Sequence, residues 1–121
     1  MRITEVKSRW EHPSGARAYM KIGECIHENK PVNQANLHVR VPEEHQGKGI
    51  GKELLETAVS DLENANTRLE AKDRIHNAYV TLNVSREGMA AAKATYQGAG
   101  FQVMGNDGLS LLLRINLANY E

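Results

Sequence analysis

Cysteine, net charge and long apolar runs are all scarce in this sequence of 121 residues, and each scarcity excludes a class of protein. The one cysteine, Cys25, has no intramolecular partner, so a disulfide framework is excluded and a reducing compartment is expected. The 15 basic and 15 acidic residues cancel, which argues against nucleic-acid binding. No apolar run is long enough to predict a membrane-spanning helix.

The N-terminal residues Met1 to Glu5 also lack the apolar segment of a signal peptide. A cytoplasmic protein is therefore the default expectation. The composition, 40% hydrophobic and 25% charged, is ordinary for a globular protein. The length suits one domain, residues 1–121, which can bury a core without covalent staples.

Alternating apolar residues predict three strands in the first third of the chain, at residues 2–10, 17–27 and 36–41. The second strand is expected to end at the polar turn Glu28–Pro31. The third is expected to end at Pro42, because proline cannot donate to a sheet ladder.

The remaining pattern predicts five elements. They are a helix from about Gly51, a strand at 79–84, a helix at 86–97, and strands at 101–104 and 109–117 that are joined by the turn Gly105–Gly108. Residues 64–76 are polar and fit either a longer helix or an exposed connection. The order predicts an α/β or α+β fold with helices packed on a sheet.

The most informative segment is the glycine-rich turn Gln46–Gly51, between the third strand and the first helix. Backbone N–H groups at a helix start have no intrahelical partner, and the helix dipole adds positive potential there. Glycines let these groups close around a phosphate, and Lys48 and Lys52 can add charge at the rim. A tight turn that uses glycine only for its geometry is the alternative. The glycine spacing and Glu53 after Lys52 do not fit the dinucleotide or Walker fingerprints.

This segment resembles motif A of the GNAT superfamily of acetyl-CoA-dependent N-acetyltransferases. The motif leads from an apolar alternating strand through Gln/Arg-x-x-Gly-x-Gly/Ala into a helix, and Gln46, Gly49 and Gly51 fit it. The later segment resembles motif B, a strand followed by a helix with Ala-x-x-x-Tyr and a terminal Gly-Phe; Ala92 to Tyr96 fits it. Together the two resemblances cover residues 36–117.

The resemblance implies a mixed, mostly antiparallel sheet of about six strands with two main helices, in the order βββ-α-β-α-ββ. It also implies direct transfer of an acetyl group from acetyl-CoA to a primary amine, without a metal. The backbone of Val39 and Val41 is expected to pair with the pantetheine arm, and the Val39 N–H to polarise the thioester carbonyl. The pyrophosphate is expected to bind at Gln46, Gly47, Lys48, Gly49, Ile50, Gly51 and Lys52.

Tyr96 lies where many family members place the general acid. A phenol suits that role because it is neutral at pH 7 and can donate a proton. A core residue of an amphipathic helix is the competing interpretation. Asn83 is expected to contact the cofactor or acceptor, with a structural amide as the alternative.

No general base is identified from the residues. Some family members carry a glutamate early in the strand before the loop, but the matching residue here is Ala35. The nearest strand-borne substitutes are Glu24, His27 and His38. Loss of the proton directly to solvent would need no base at all.

Two departures from the family pattern affect the acceptor side. Met89 replaces an asparagine that often begins the motif B helix. Residues 11–35 are too short for the two helices that usually wall the acceptor pocket, so that side is open, completed by a second chain of a homodimer, or inactive. An open groove favours a protein lysine or N-terminus as acceptor. A small-amine acetyltransferase and a non-catalytic CoA-binding module are the alternatives.

Overall fold

The computed structural model describes residues 1–84 and 87–121, and this part of the chain forms one sheet with two α-helices. The elements are β1 (Arg9–Glu11), β2 (Arg17–His27), β3 (Lys30–Arg40), α1 (Ile50–Asn66), β4 (Ile75–Asn83), α2 (Met89–Gly98), β5 (Gln102–Asn106) and β6 (Ser110–Asn116). Their order is the predicted βββ-α-β-α-ββ. Within the described ranges no helix is both long and apolar enough to cross a bilayer.

The six strands lie in the order β1-β2-β3-β4-β6-β5. Only β3 and β4 run parallel, and the other neighbouring pairs are antiparallel. The prediction of a mixed, mostly antiparallel six-stranded sheet is therefore confirmed. A parallel pair needs a crossover connection, and α1 provides it between β3 and β4.

Element boundaries differ from the predictions mainly in the N-terminal half. The predicted strand 2–10 is a 3-10 turn at Ile3–Glu5 followed by the three-residue β1. The strand β3 begins at Lys30, earlier than predicted, because Glu28 and Asn29 alone make the hairpin turn with φ of 51° and 64°.

The C-terminal half shows smaller differences. The helix α1 ends at Asn66, so most of the undecided segment 64–76 is connection, with a short 3-10 turn at Ala71–Asp73. The predicted helix 86–97 begins at Met89 in the structure, and Arg86 lies outside the described residues. The strand β5 continues to Asn106, two residues into the predicted turn.

The core lies between the sheet and α1, whose apolar stripe predicted its buried face. Leu55, Ala58 and Leu62 of this helix are completely buried, as are Ala18 and Leu113 of the sheet. Side chains alternate between the two faces of a strand, so the neighbours of the buried strand residues lie on the opposite face. That opposite face carries no helix in the described part of the chain.

Asparagine side chains form hydrogen bonds with the main chain near the amino ends of β3 and β4. Asn66 is fully buried, and its Nδ2 donates to the carbonyl oxygens of Ile75 at 2.9 Å and Ala118 at 3.0 Å. The Ile75 N–H donates back to Asn66 Oδ1 at 2.8 Å. Asn33 Nδ2 donates to the Asp73 carbonyl at 3.0 Å. The polar groups of this end are thereby satisfied inside the protein.

Candidate functional site

The strands β3 and β4 separate toward their carboxyl ends. Their parallel register runs from Asn33 and Ile75 to Leu37 and Val80, although β3 continues to Arg40 and β4 to Asn83. Ligands of open sheets with parallel strands bind in the crevice outside the carboxyl ends of those strands. The gap between β3 and β4 is therefore the expected position of a ligand site.

The register of β2 and β3 shows which main-chain groups face this gap. The Met20 N–H donates to the Ser8 carbonyl at 2.9 Å, away from β3, so Met20 and its partner Leu37 form a non-hydrogen-bonded pair. Such pairs alternate along an antiparallel ladder, so the N–H and C=O groups of Leu37 and Val39 point toward β4. Val39 lies beyond the last β3–β4 pair and faces the gap, as its predicted role requires.

The glycine loop leads from this gap into α1. Gly47 and Gly49 have φ of 79° and 78°, which side chains rarely allow, and a Cβ on either would meet nothing within 4 Å. Backbone conformation therefore requires these glycines, and the space beside them is open. Gly49 is the N-cap of α1 and supplies no side chain to the first-turn N–H groups.

A cavity of about 250 Å³ lies between β3, the glycine loop and α2. Its lining comes from all three elements: Val39, Val41, His45, Gln46, Gly47, Gly49, Ile50, Gly51, Glu87, Gly88, Ala91, Ala92, Thr95 and Tyr96. The site predicted from two separate sequence segments is thus brought together at one place. Of the predicted site residues, Lys48, Lys52 and Asn83 do not line the cavity.

Three polar side chains of the loop and of the first turn of α1 make contacts that the sequence did not predict. Gln46 Nε2 donates to the Val41 carbonyl at 3.2 Å and so ties the loop to the end of β3. Lys48 Nζ lies 3.5 Å from His45 Nδ1, on the exposed side of the loop. Lys52 lays its aliphatic stem beside Gly98 of α2. Lys48 and Lys52 therefore lie outside the cavity lining, and this segment contributes Gln46, Gly47, Gly49, Ile50 and Gly51 to it.

Tyr96 has the position expected of a core residue and also that expected of a residue at the site, the two interpretations offered by the sequence. It lies on α2, only 7% exposed within the core cluster, and it also lines the cavity. The ring is therefore fixed by packing while part of the side chain faces the groove. A fixed ring is what positioning a proton donor requires.

The start of α2 is the part of the site that sequence reasoning missed. Gly88 caps this helix with φ of 78° and no side-chain hydrogen bond, which repeats the arrangement of Gly49 at α1. Ala91 and Ala92 then leave room in the cavity wall. A glycine directly before an alanine-rich helical run was the available signal.

None of the three substitute base candidates lines the cavity. Glu24 and His27 lie near the hairpin turn of β2, opposite Asn33 and Lys30, and both are exposed. His38 adjoins Val39 but is exposed on the opposite face of the sheet. His45 and Glu87 are the titratable side chains in the cavity lining besides Tyr96. The structure does not bring a predicted base to the cavity.

A comparison with protein-family models matches residues 15–103 to the acetyltransferase (GNAT) domain. The matched range contains every residue that lines the cavity. A search of curated protein sequences returned no match.

Solved structures with similar folds include three acetyltransferases. A GNAT-family acetyltransferase from Streptococcus pneumoniae is 15% identical with a TM-score of 0.61, over 85% of this chain and 59% of the other. A phosphinothricin acetyltransferase from Sinorhizobium meliloti, in complex with AcCoA, is 16% identical with a TM-score of 0.59, over 89% and 58%. A ribosomal-protein-alanine N-acetyltransferase from Brucella melitensis is 22% identical with a TM-score of 0.57, over 84% and 61%.

At these identities the structural matches establish the shared fold. This chain spans between 58% and 61% of the length of these three solved chains.

Proposed function

We propose that this chain, which belongs to the GNAT acetyltransferase family, transfers an acetyl group from acetyl-CoA to a primary amine. The observation that carries the proposal is the gap between β3 and β4, which opens beside two helix starts capped by Gly49 and Gly88. A cavity of about 250 Å³ joins these features. An extended, phosphate-bearing ligand fits this combination of exposed strand and open helix termini.

The start of α1 would hold the pyrophosphate. The first-turn N–H groups of Ile50, Gly51 and Lys52 have no intrahelical partners, and the helix dipole favours an anion there. The space beside Gly47 and Gly49 is open, so phosphate oxygens can approach the backbone closely. The fit therefore depends on main-chain groups rather than on the two lysines.

The strand β3 would hold the pantetheine arm. Val39 presents its N–H and C=O toward the gap, so an amide-bearing chain can pair with it like an added strand. Val41 lines the same cavity and gives the arm an apolar contact, while its carbonyl is engaged by Gln46. Asn83, at the end of β4, is the proposed contact across the gap.

Acetyl-CoA would supply the thioester, whose C–S bond breaks as the amine nitrogen forms the new C–N bond. The Val39 N–H is placed to donate to the thioester oxygen as negative charge develops there. Tyr96 would donate its phenolic proton to the departing sulfur and recover a proton from solvent. The amine would lose its proton to water, and the candidate bases Glu24, His27 and His38 all lie outside the cavity lining.

We favour a protein lysine or N-terminus as the acceptor. Residues 11–35 form a turn, the strand β2 and the start of β3, so no helices from this segment enclose a small amine. A folded protein brings its own surface and supplies contacts that an open groove lacks. A small-amine enzyme and a non-catalytic CoA-binding module remain the alternatives.

Acetyl-CoA binding is tested by thermal shift with a matched pair of glycine variants. At about 100 times its Kd the ligand should add about 2.7 kcal/mol to the free energy of unfolding. Gly49→Asn keeps a residue that tolerates positive φ but places a side chain in the open space by α1, so the shift should largely disappear. Gly108→Asn, at φ of 85° in the β5–β6 turn, is the control and should keep it. Equal shifts in both variants would contradict this site.

The acceptor is tested by kcat/KM for a lysine-bearing protein against a panel of free amines. A protein acceptor should be preferred, because an open site binds short amines weakly. A free amine preferred by about tenfold, or ~1.4 kcal/mol in transition-state binding, would support a small-molecule enzyme instead. Binding of acetyl-CoA without turnover on any acceptor would support the non-catalytic module.

A further inference from the structure

The face of the sheet that carries no helix, which we call the open face, is rich in positive charge although the whole chain is neutral. Ala18 and Met20 of β2 are buried against the helices, so the intervening residues Arg17, Tyr19 and Lys21 point to the other side. Cross-strand partners extend this face over the sheet, since directly paired residues share a face. Lys21 pairs with Asn36, Asn36 with Tyr79 and Tyr79 with Arg114.

Cations dominate this open face. Among its described strand residues Glu11 is the only carboxylate, whereas six lysine or arginine side chains lie there: Arg9, Arg17, Lys21, Lys30, Arg40 and Arg114. The whole chain has no net charge, so this is a local concentration and not a general excess. A face of one sign attracts partners of the opposite sign and repels like charges.

Aromatic contacts hold part of this charge in place. The guanidinium of Arg9 lies 5.2 Å from the centroid of the Tyr19 ring, and that of Arg17 lies 5.8 Å from the same ring. Cation–π contacts at such distances favour the observed positions over free rotation into solvent. Two cations are therefore presented together beside His38, the β3 partner of Tyr19.

The proposed chemistry opens onto this face. The cavity occupies the helix side of the β3–β4 gap, where Val39 and Val41 line it. The side without helices gives an acceptor amine an approach to the gap that a cofactor in the cavity would not obstruct. On that side the residues next to Val39 are His38 and Arg40, both exposed.

We infer, resting on the proposed function, that the acceptor is an acidic protein, with its reactive amine flanked by aspartate or glutamate residues. Carboxylates around that amine would meet Arg17, Arg40 and their neighbours while the amine enters the gap. A polycationic acceptor such as a polyamine would meet repulsion instead. The charge of the open face thus sets the class of acceptor.

A protein fits this face better than a nucleic acid does. Nucleic-acid affinity comes largely from neutralising many phosphates, and a chain of zero net charge offers little long-range attraction to a polyanion. The open face also carries polar and apolar groups, with Tyr19, Tyr79 and Thr81 near its centre and Leu112 38% exposed. Such a mixture is typical of protein interfaces.

The test uses three peptides of equal length with one lysine, flanked by acidic, neutral or basic residues. We expect kcat/KM to be at least about tenfold higher for the acidic than for the basic peptide at low salt, with the ratio falling as salt screens the charges. Turnover of all three at equal rates would overturn this inference alone. Turnover of none, despite an acetyl-CoA thermal shift, would overturn the proposed transfer as well.

Charge reversal locates the effect on the structure. In the double variant R17E/K21E the ratio of kcat/KM for the acidic peptide to that for the basic peptide should fall to about one or below. The double variant R68E/K72E makes the same change in net charge at two exposed positions between α1 and β4, outside the open face, and should behave as wild type. Retention of the acidic preference in R17E/K21E would contradict the assignment. An RNA oligonucleotide that inhibits at lower concentration than the acidic peptide would instead favour a nucleic-acid partner.

Discussion

The two ends of the parallel β3–β4 pair differ in how their polar groups are satisfied. At the amino ends, called the closed end, Asn66 is buried and makes three hydrogen bonds to the main chain of Ile75 and Ala118. At the carboxyl ends, called the open end, the ladder stops at Leu37 and Val80, and the main chain of Val39 faces a cavity. The same two strands are therefore joined by buried hydrogen bonds at one end and border a cavity at the other.

The helix α1 shows the same contrast along its own length. Its last residue, Asn66, joins the helix to the sheet, whereas its N-cap, Gly49, satisfies no N–H group with a side chain. A serine or aspartate cap typically adds ~1 kcal/mol to helix stability. Forgoing that stabilisation leaves the helix start open to an anion, as expected at a functional site.

The largest effect, a loss of stability, is expected when the hydrogen bonds of Asn66 at the closed end are removed. Asn66→Ala would remove the partner of the buried Ile75 N–H and of the Ile75 and Ala118 carbonyls, at ~1–3 kcal/mol for each group left buried and unsatisfied. We expect a loss of about 3 kcal/mol or more, seen as a fall in Tm on the order of 10 °C. The rise in Tm with acetyl-CoA should persist, because the open end is untouched.

Asn64→Ala provides the matched control for this variant. Asn64 lies on the same helix turn but is exposed, and changes at such positions usually stay within about 0.5 kcal/mol. If Asn66→Ala abolished the ligand response while the protein remained folded, the two ends would be coupled and the comparison would fail.

The next effect concerns catalysis at the open end. Tyr96→Phe keeps the packed ring and removes the hydroxyl, so kcat should fall by ~10²-fold, or about 2.7 kcal/mol in the barrier. The affinity for acetyl-CoA and the Tm should change little. Tyr120→Phe makes the same change at the closed end and should leave kcat unaltered. An unchanged kcat with a lower Tm in Tyr96→Phe would assign the hydroxyl a structural role.

Sequence alone was sufficient for the features that depend on local pattern. The alternation in β2, the helical spacing in α1 and the glycines of the loop each predict one element, and their order gives the fold. Strand β1 could not be delimited in this way. It is three residues long, and its length is set by its pairing with Arg17 to Tyr19 rather than by its own composition.

The orientation of the site residues depends on contacts that sequence patterns do not record. Lys48 lies between two glycines with positive φ, and that backbone leaves its side chain next to His45, outside the cavity lining. Gln46 finds the Val41 carbonyl only after the loop has folded. The charge of the open face likewise follows from the register of several strands. The motifs predicted which segments line the cavity, and tertiary pairing determined which of their groups face it.

The smallest effect expected is a pH dependence of stability that originates at the closed end. His76 is half-buried there, 4.3 Å from the Tyr120 ring, and lines a cavity of about 120 Å³ with His27 and Arg114. Burial, and then the charge of His27, lower the pKa of His76, while Glu121 opposes them. The unfolded chain therefore binds this proton at higher pH than the folded one, so stability falls as the pH drops through about 6.5. In His76→Gln this fall should be shallower between about pH 8 and about pH 5 when the Tm is followed with pH.

His38→Gln, which removes an exposed imidazole at the open end, should retain the wild-type slope. Equal flattening by both variants would mean that the pH dependence does not originate at the closed end.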